Sequence, residues 1–193
     1  MTPKQEERLR KKIAKIRKEL AADKKRWGGF HDDSRGVRYL PPELFVKLKD
    51  YKGGLRYLRW FDRTFPDDMG HPFFLFDWTL ILFKTGNLKE AEKKAFKTFS
   101  SNKYIFDKFL GKELMSLDLG ENSGWEKEMV IKHFNYSRNH TEFKDFAEWL
   151  ENLQTSEKFK KLTDELIEID RKLITEPVGK TRTKLVNRRY KLI

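Results

Sequence analysis

The sequence predicts an all-α protein built from antiparallel helix pairs and flanked by a long helix at each end. Three observations carry this. Apolar residues recur at three- and four-residue spacing, no run alternates with the two-residue period of a strand, and two stretches can be laid on one another as helix–turn–helix units. The first stretch contains Asp50-Tyr51-Lys52-Gly53-Gly54-Leu55 and closes at Phe65-Pro66; the second contains Gly86-Asn87-Leu88-Lys89-Glu90-Ala91 and closes at Phe99-Ser100-Ser101-Asn102. The expected organisation is one helical domain over 1–177, with a basic helix over 1–27, two helix pairs over 36–103 and C-terminal helices over 124–175. A basic tail, 178–193, follows it.

Each element has a local reason. Thr2-Pro3-Lys4-Gln5 is a capping box with proline at the first helical position, so a helix begins there. Leu9, Ile13, Ile16 and Leu20 follow at four, three, four spacing, a narrow apolar stripe on a charged helix. That helix ends near Trp27, and residues 31–39 read as a loop. Leu40-Pro41-Pro42-Glu43 opens a short helix. Asp50 caps the next, which stops at Phe65-Pro66 because proline disfavours helix in the residue before it. Gly70-His71-Pro72 opens a helix over 73–84, Gly86 ends it, and Asn87-Leu88-Lys89-Glu90 is a second capping box. Ser101 is placed to cap a short helix over 104–110.

Residues 111–124, with Gly111, Gly120, Gly124 and a short acidic run, read as a loop. Ser123 and Asn139 are placed to cap the next two helices, the latter with Phe143, Phe146, Trp149 and Leu150 on one face. The last long helix spans 156–175 and carries Leu162, Leu166, Ile169 and Leu173 at the same four, three, four spacing. Asp164, Glu165, Glu168 and Asp170 flank this second seam, whereas the first helix is basic. The two seams are therefore expected to cover one another, within one chain or between two.

The chain has 193 residues, 14% of them aromatic and 16 of them phenylalanine, which gives enough to bury for a real core. It contains no cysteine, excluding disulfides, thiolate catalysis and cysteine zinc sites. The N-terminus lacks the apolar core of a signal peptide, and the most apolar window, 72–83, is too short to span a bilayer and carries Asp77. A cytoplasmic protein without membrane contact is expected. The net charge of +12 is unevenly placed: residues 1–26 hold eleven Lys/Arg against four Asp/Glu, and residues 178–193 hold six Lys/Arg and no acid. Both ends are basic and the body is close to neutral.

Within the second helix pair, Trp78 and Leu82 are large, Gly86 makes the turn, and Ala91 and Ala95 are small, one turn apart. In the first, Gly54 matches Ala91, Leu58 matches Ala95, Phe61 matches Thr98, and Pro66 closes the pair. Over residues 36–103 this pattern resembles the tetratricopeptide repeat, in which a small residue lets paired helices approach closely. The offset from Gly54 to Ala91 is 37 residues, longer than the family period of about 34, and Pro42 and Thr79 stand where the family has small residues.

The resemblance implies a binding groove lined by Tyr39, Leu40, Glu43, Val46 and Lys47, then by Phe73, Phe76, Asp77, Leu80, Phe83 and Lys84. Most of these are apolar. That argues against capture of a free carboxylate, and for a groove covered by the protein's own helices or open to a hydrophobic segment.

No catalytic constellation emerges. Val178-Gly179-Lys180-Thr181 lacks the glycine a phosphate loop needs, since Ile174 holds that place. His31, His71, His133 and His140 are scattered, and His31-Asp32-Asp33 offers only adjacent ligands, which rarely converge on one metal. No cofactor or metal is expected. The leading expectation is a non-enzymatic scaffold or adaptor that binds a protein or peptide partner or a second copy of itself. The alternative is a nucleic-acid-associated protein using its basic ends, with Arg182, Lys184, Arg188 and Arg189 as the polyanion contacts.

Overall fold

The structure, a computed structural model, describes residues 1–29, 31 and 35–193, with backbone alone at 121–122. The described residues form ten α-helices and two 3₁₀ turns, and no strand occurs among them. The expected single domain over 1–177 stands beside a division into two compact units, Met1–Leu88 and Lys89–Ile193. The second repeat-like pair therefore has one helix in each unit.

The first unit comprises α1 (Pro3–Arg26), a 3₁₀ turn at Val37–Tyr39, α2 (Leu40–Lys47), α3 (Tyr51–Thr64) and α4 (Pro72–Lys84). The capping box at Thr2 forms as expected: its hydroxyl accepts from the Gln5 amide while the Gln5 side chain accepts from the Thr2 amide. Asp50 caps α3 by accepting from the Gly53 amide at 2.8 Å, and His71 caps α4 through Nδ1. Helices α2, α3 and α4 pack mutually, and α1 lies on α2 and the 3₁₀ turn. α4 is mostly apolar and buried on every side along its middle, with residues 74–82 all buried, which is the signature of a central helix.

Gly54 sits where α3 comes closest to its neighbours. A Cβ there would lie 2.8 Å from Ile81 Cδ1 and 3.2 Å from Phe45 Cβ, so only glycine permits this approach. Near the base of α3, Asp68 gathers the turn: it accepts from Arg38 Nε at 2.8 Å, from the Tyr39 hydroxyl at 2.7 Å and from the Gly70 amide at 2.8 Å. Burial pushes the Asp68 carboxyl up, but these donors outweigh it and hold the group below its ordinary range.

The second unit comprises α5 (Leu88–Ser101), α6 (Ile105–Leu110), α7 (Glu121–His133), a 3₁₀ turn at Thr141–Phe143, α8 (Lys144–Thr155), α9 (Glu157–Thr175) and α10 (Lys180–Leu192). Its core is aromatic: Phe109 meets Phe146 at 5.4 Å between centroids, and Phe159 meets Phe96 and Phe99 edge-on. Ser156 caps α9 through the Phe159 amide.

Five expectations change. Asn139 caps no helix: the turn at Thr141–Phe143 starts from His140 and α8 from Phe143, neither with a side-chain cap. α5 runs on through Ser101, so Asn102 rather than Ser101 turns the chain into α6, its Oδ1 accepting from the Tyr104 amide. α7 begins at Glu121, and Ser123 is not its cap: its hydroxyl is buried 2.5 Å from that of Tyr104. The segment expected as a tail is helix α10, packed on α9. The two long seams lie in different units, where Ile13, Ile16 and Leu20 are buried on a helix packed against α2, and Leu166 and Ile169 on a helix packed against α8 and α10. Each seam has partners inside its own unit because the short neighbouring helices supply enough apolar surface.

Gly54→Ala should cost about 1–3 kcal/mol by overpacking, because Ile81 is itself fully buried. Gly124→Ala, in helix α7 with open space around its Cα, should instead stabilise by about 0.4–1 kcal/mol; urea denaturation of both variants gives the comparison. Asp68→Asn should cost about 1–3 kcal/mol at neutral pH. Because the folded carboxyl is held low, its contribution is present above the unfolded value near pH ~4 and is lost as pH falls through the folded one. The stability gap between wild type and variant should therefore narrow on acidification.

Candidate functional site

The residues expected to line a repeat groove do not share an open face. Phe76 and Leu80 have no exposed surface and Asp77 retains 3%, since α4 is a central helix. Phe83 and Lys84 are half-buried, with the Lys84 ammonium 5.9 Å from the Tyr51 ring. Glu43 and Lys47 form an i,i+4 ion pair on α2. The Tyr39 ring packs against Phe61 and Phe74, and its hydroxyl is committed to Asp68. A partner reaching Phe76 or Leu80 would have to dismantle the core.

The basic C-terminal residues are also largely engaged. Arg182 donates to the Leu173 and Glu176 carbonyls at 2.6 and 2.7 Å, satisfying the open end of α9. Arg188 donates to Glu165 at 2.6 Å and Arg189 to Asp170 at 2.7 Å. Lys184 is exposed. The physical reason is charge complementarity: α10 carries six cations and no acid, and α9 offers an acidic face.

Beneath α10, a cleft of about 300 Å³ is lined by Lys103, Ser123, Glu126, Asp170 and Arg189, among others. Buried Lys103 lies 2.8 Å from Asp170 Oδ2, whose other oxygen takes Arg189. Burial pushes the Glu126 carboxyl up, and the Asp170 charge adds to this, against Lys103 and Arg189, which pull it down. The cluster has two cations and two acids, and it ties α9 and α10 to the turn before α6. Among the described residues no group of three or more His, Asp or Glu side chains could hold a metal; Asp32 and Asp33 lie outside the described residues.

A different concavity is open and unbalanced. In the first unit, residues of α1 and α3 face one another across two adjoining clefts, with Phe45 of α2 beneath one of them. One cleft of about 290 Å³ has Arg10, Ala14 and Arg17 on the α1 wall, Arg56 on the α3 wall, and Phe45 and Tyr57 beneath. A second, of about 190 Å³, continues along α1 through Arg17, Ala21 and Lys24 and meets Trp60 of α3. Arg17 lines both, and the two adjoining clefts are together called the α1–α3 channel. No described residue lining it is acidic. Arg10 is paired with Glu6 at 2.8 Å and more loosely with Asp50 at 3.5 Å. Arg17, Lys24 and Arg56 are exposed, and no ion pair engages them among the described residues.

The sequence signal for this wall is visible once the fold is known. Arg10, Ala14, Arg17, Ala21 and Lys24 alternate cation and alanine at four, three, four, three spacing, one position along from the buried seam. Lys52, Arg56, Arg59 and Arg63 repeat the four, three, four spacing on α3 and are all exposed. Such residues share a helix face.

The two charge clusters should respond differently to mutation. Asp170→Ala leaves buried Lys103 without its partner and should cost about 3–5 kcal/mol. Glu165→Ala frees Arg188, whose side chain is 55% exposed, and should cost no more than about 1 kcal/mol. Urea titrations of the two variants test the contrast. Comparison of the chain with known protein families, with curated proteins and with solved structures finds no match.

Proposed function

We propose that the chain is a non-enzymatic helical scaffold of tetratricopeptide-like organisation that binds an anionic macromolecular partner along the α1–α3 channel. One observation carries the choice of surface: Arg17, Lys24 and Arg56 line two adjoining clefts that share Arg17, and no ion pair engages them among the described residues. Gly54 supports the repeat-like organisation, since it occupies the close-approach position that the resemblance requires. Isolated surface cations need no explanation. A concave row of them raises the local potential and favours an incoming anion.

The repeat groove and the C-terminal cations are weaker candidates for the same role, the first because α4 is buried and the second because α10 is already neutralised by α9. A second copy of this chain is disfavoured as the occupant, because each copy carries +12 and would present like charge.

Retention on a heparin column, with light-scattering mass measured in the same buffer, tests this reading. The wild type should elute late, and the triple variant Arg17→Gln, Lys24→Gln, Arg56→Gln should elute at clearly lower salt. A double variant Lys184→Gln, Arg188→Gln should shift little. Elution of the triple variant with the wild type would overturn the assignment of the channel.

A further inference from the structure

Resting on that reading, we infer that the channel's occupant is a single nucleic-acid strand, held by its phosphodiester backbone between the cation row of α1 and Arg56 of α3. The inference follows from what the walls can and cannot hold. Seven-residue steps place Arg10, Arg17 and Lys24 about 10.5 Å apart along one α-helical wall. Arg56 is the α3 cation that lines the cleft opposite them. A flexible strand carries one charge per nucleotide and can adjust its path to meet both walls. Most of these cations are arginine, whose planar fork suits phosphate oxygens.

The channel is too small for a duplex. Ala14 and Ala21 open space between the α1 cations, and the clefts amount to only a few hundred cubic ångströms; at Gly53, opposite, the Asp50 carboxylate fills the place a Cβ would take. A duplex is a stiff rod, with a persistence length of about 150 base pairs, and over so short a span it cannot bend its backbone to follow both walls. A single strand can.

An acidic peptide is the nearest rival, and the walls serve it poorly. An extended peptide needs an exposed strand edge to satisfy its backbone, and an amphipathic helix needs open apolar pockets for its anchors. All three elements around the channel are helices with their backbone bonds already made, and the floor residues Phe45 and Tyr57 are only 7% and 4% exposed. Little is left to hold a partner except charge and the half-exposed ring of Trp60, which offers a wall for a base or sugar.

The test is fluorescence anisotropy of the full chain with a short labelled oligothymidylate across a salt series, alongside a labelled duplex and a labelled polyglutamate peptide. The oligothymidylate should bind most tightly. Its salt slope should fall by about 0.7 for each of Arg17→Gln, Lys24→Gln and Arg56→Gln. Ala21→Glu, which sets an acid on the channel wall at an exposed helical position, should weaken binding at least tenfold. Lys158→Gln with Lys160→Gln, exposed on α9, should leave the slope unchanged, and thermal melts by circular dichroism confirm that each variant is folded.

Tighter binding of the duplex, or an unchanged slope in all three channel variants, would overturn the inference. Binding of polyglutamate or heparin without the oligothymidylate would overturn it and leave the anionic-partner reading standing. Binding of none of these probes would overturn both.

Discussion

The close approach at Gly54 is the constraint on which the first unit depends. With a hydrogen where other residues carry Cβ, α3 settles against Phe45 of α2 and Ile81 of α4 together. Three helices then share one crossing region, and α4 can be buried on every side along its middle. What remains for α1 is the outer surface of α2, a narrow site that takes only Ile13, Ile16 and Leu20. The rest of a 24-residue helix stays in water and must be polar. Its polar face borders α3 across a gap, and so a packing constraint at a glycine ends in a cation-lined channel.

The second unit is organised by a different balance. α10 has no buried residue, so apolar burial alone gives it little hold. It is fixed by Arg182 on the carbonyls of α9, by Arg188 on Glu165 and by Arg189 on Asp170. The innermost of these contacts matters most, because Asp170 also neutralises Lys103, a buried ammonium that has few alternatives. Exposed pairs add little each. A buried charge without a partner is far more costly, so the Lys103–Asp170 pair is the polar anchor of this end of the unit.

Much of the helical order was legible because caps are local. Thr2, Asp50, His71 and Ser156 act within three residues of their own position, and each begins the helix expected of it. Ser101 and Ser123 misled for different reasons, the first because α5 runs on through it. A side chain that could cap a helix can also serve a distant partner, and Ser123 lies instead against Tyr104, nineteen residues away. The division at Leu88 was not legible, since the repeat pattern runs across it without a break in composition. The channel was hidden because its walls come from helices more than 25 residues apart, and the seam beside the α1 wall drew attention to packing rather than to the cation–alanine alternation next to it.

The contrasting fates of α1 and α10 show what net charge leaves undecided. Both helices are strongly basic, and as isolated segments each would serve as a polyanion-binding arm. α10 lies along α9, whose Glu165 and Asp170 face it, and its charge is spent inside the fold. α1 lies beside α3, which presents Lys52, Arg56, Arg59 and Arg63 on its exposed face. Like charges on neighbouring helices repel, and stability alone would select against such an arrangement. The cost is small at this exposure because water and salt screen it, and an anion bound between the rows would reverse its sign. Adjacent basic faces that a fold could neutralise, as α9 does for α10, but does not, are where a partner of opposite charge gains most.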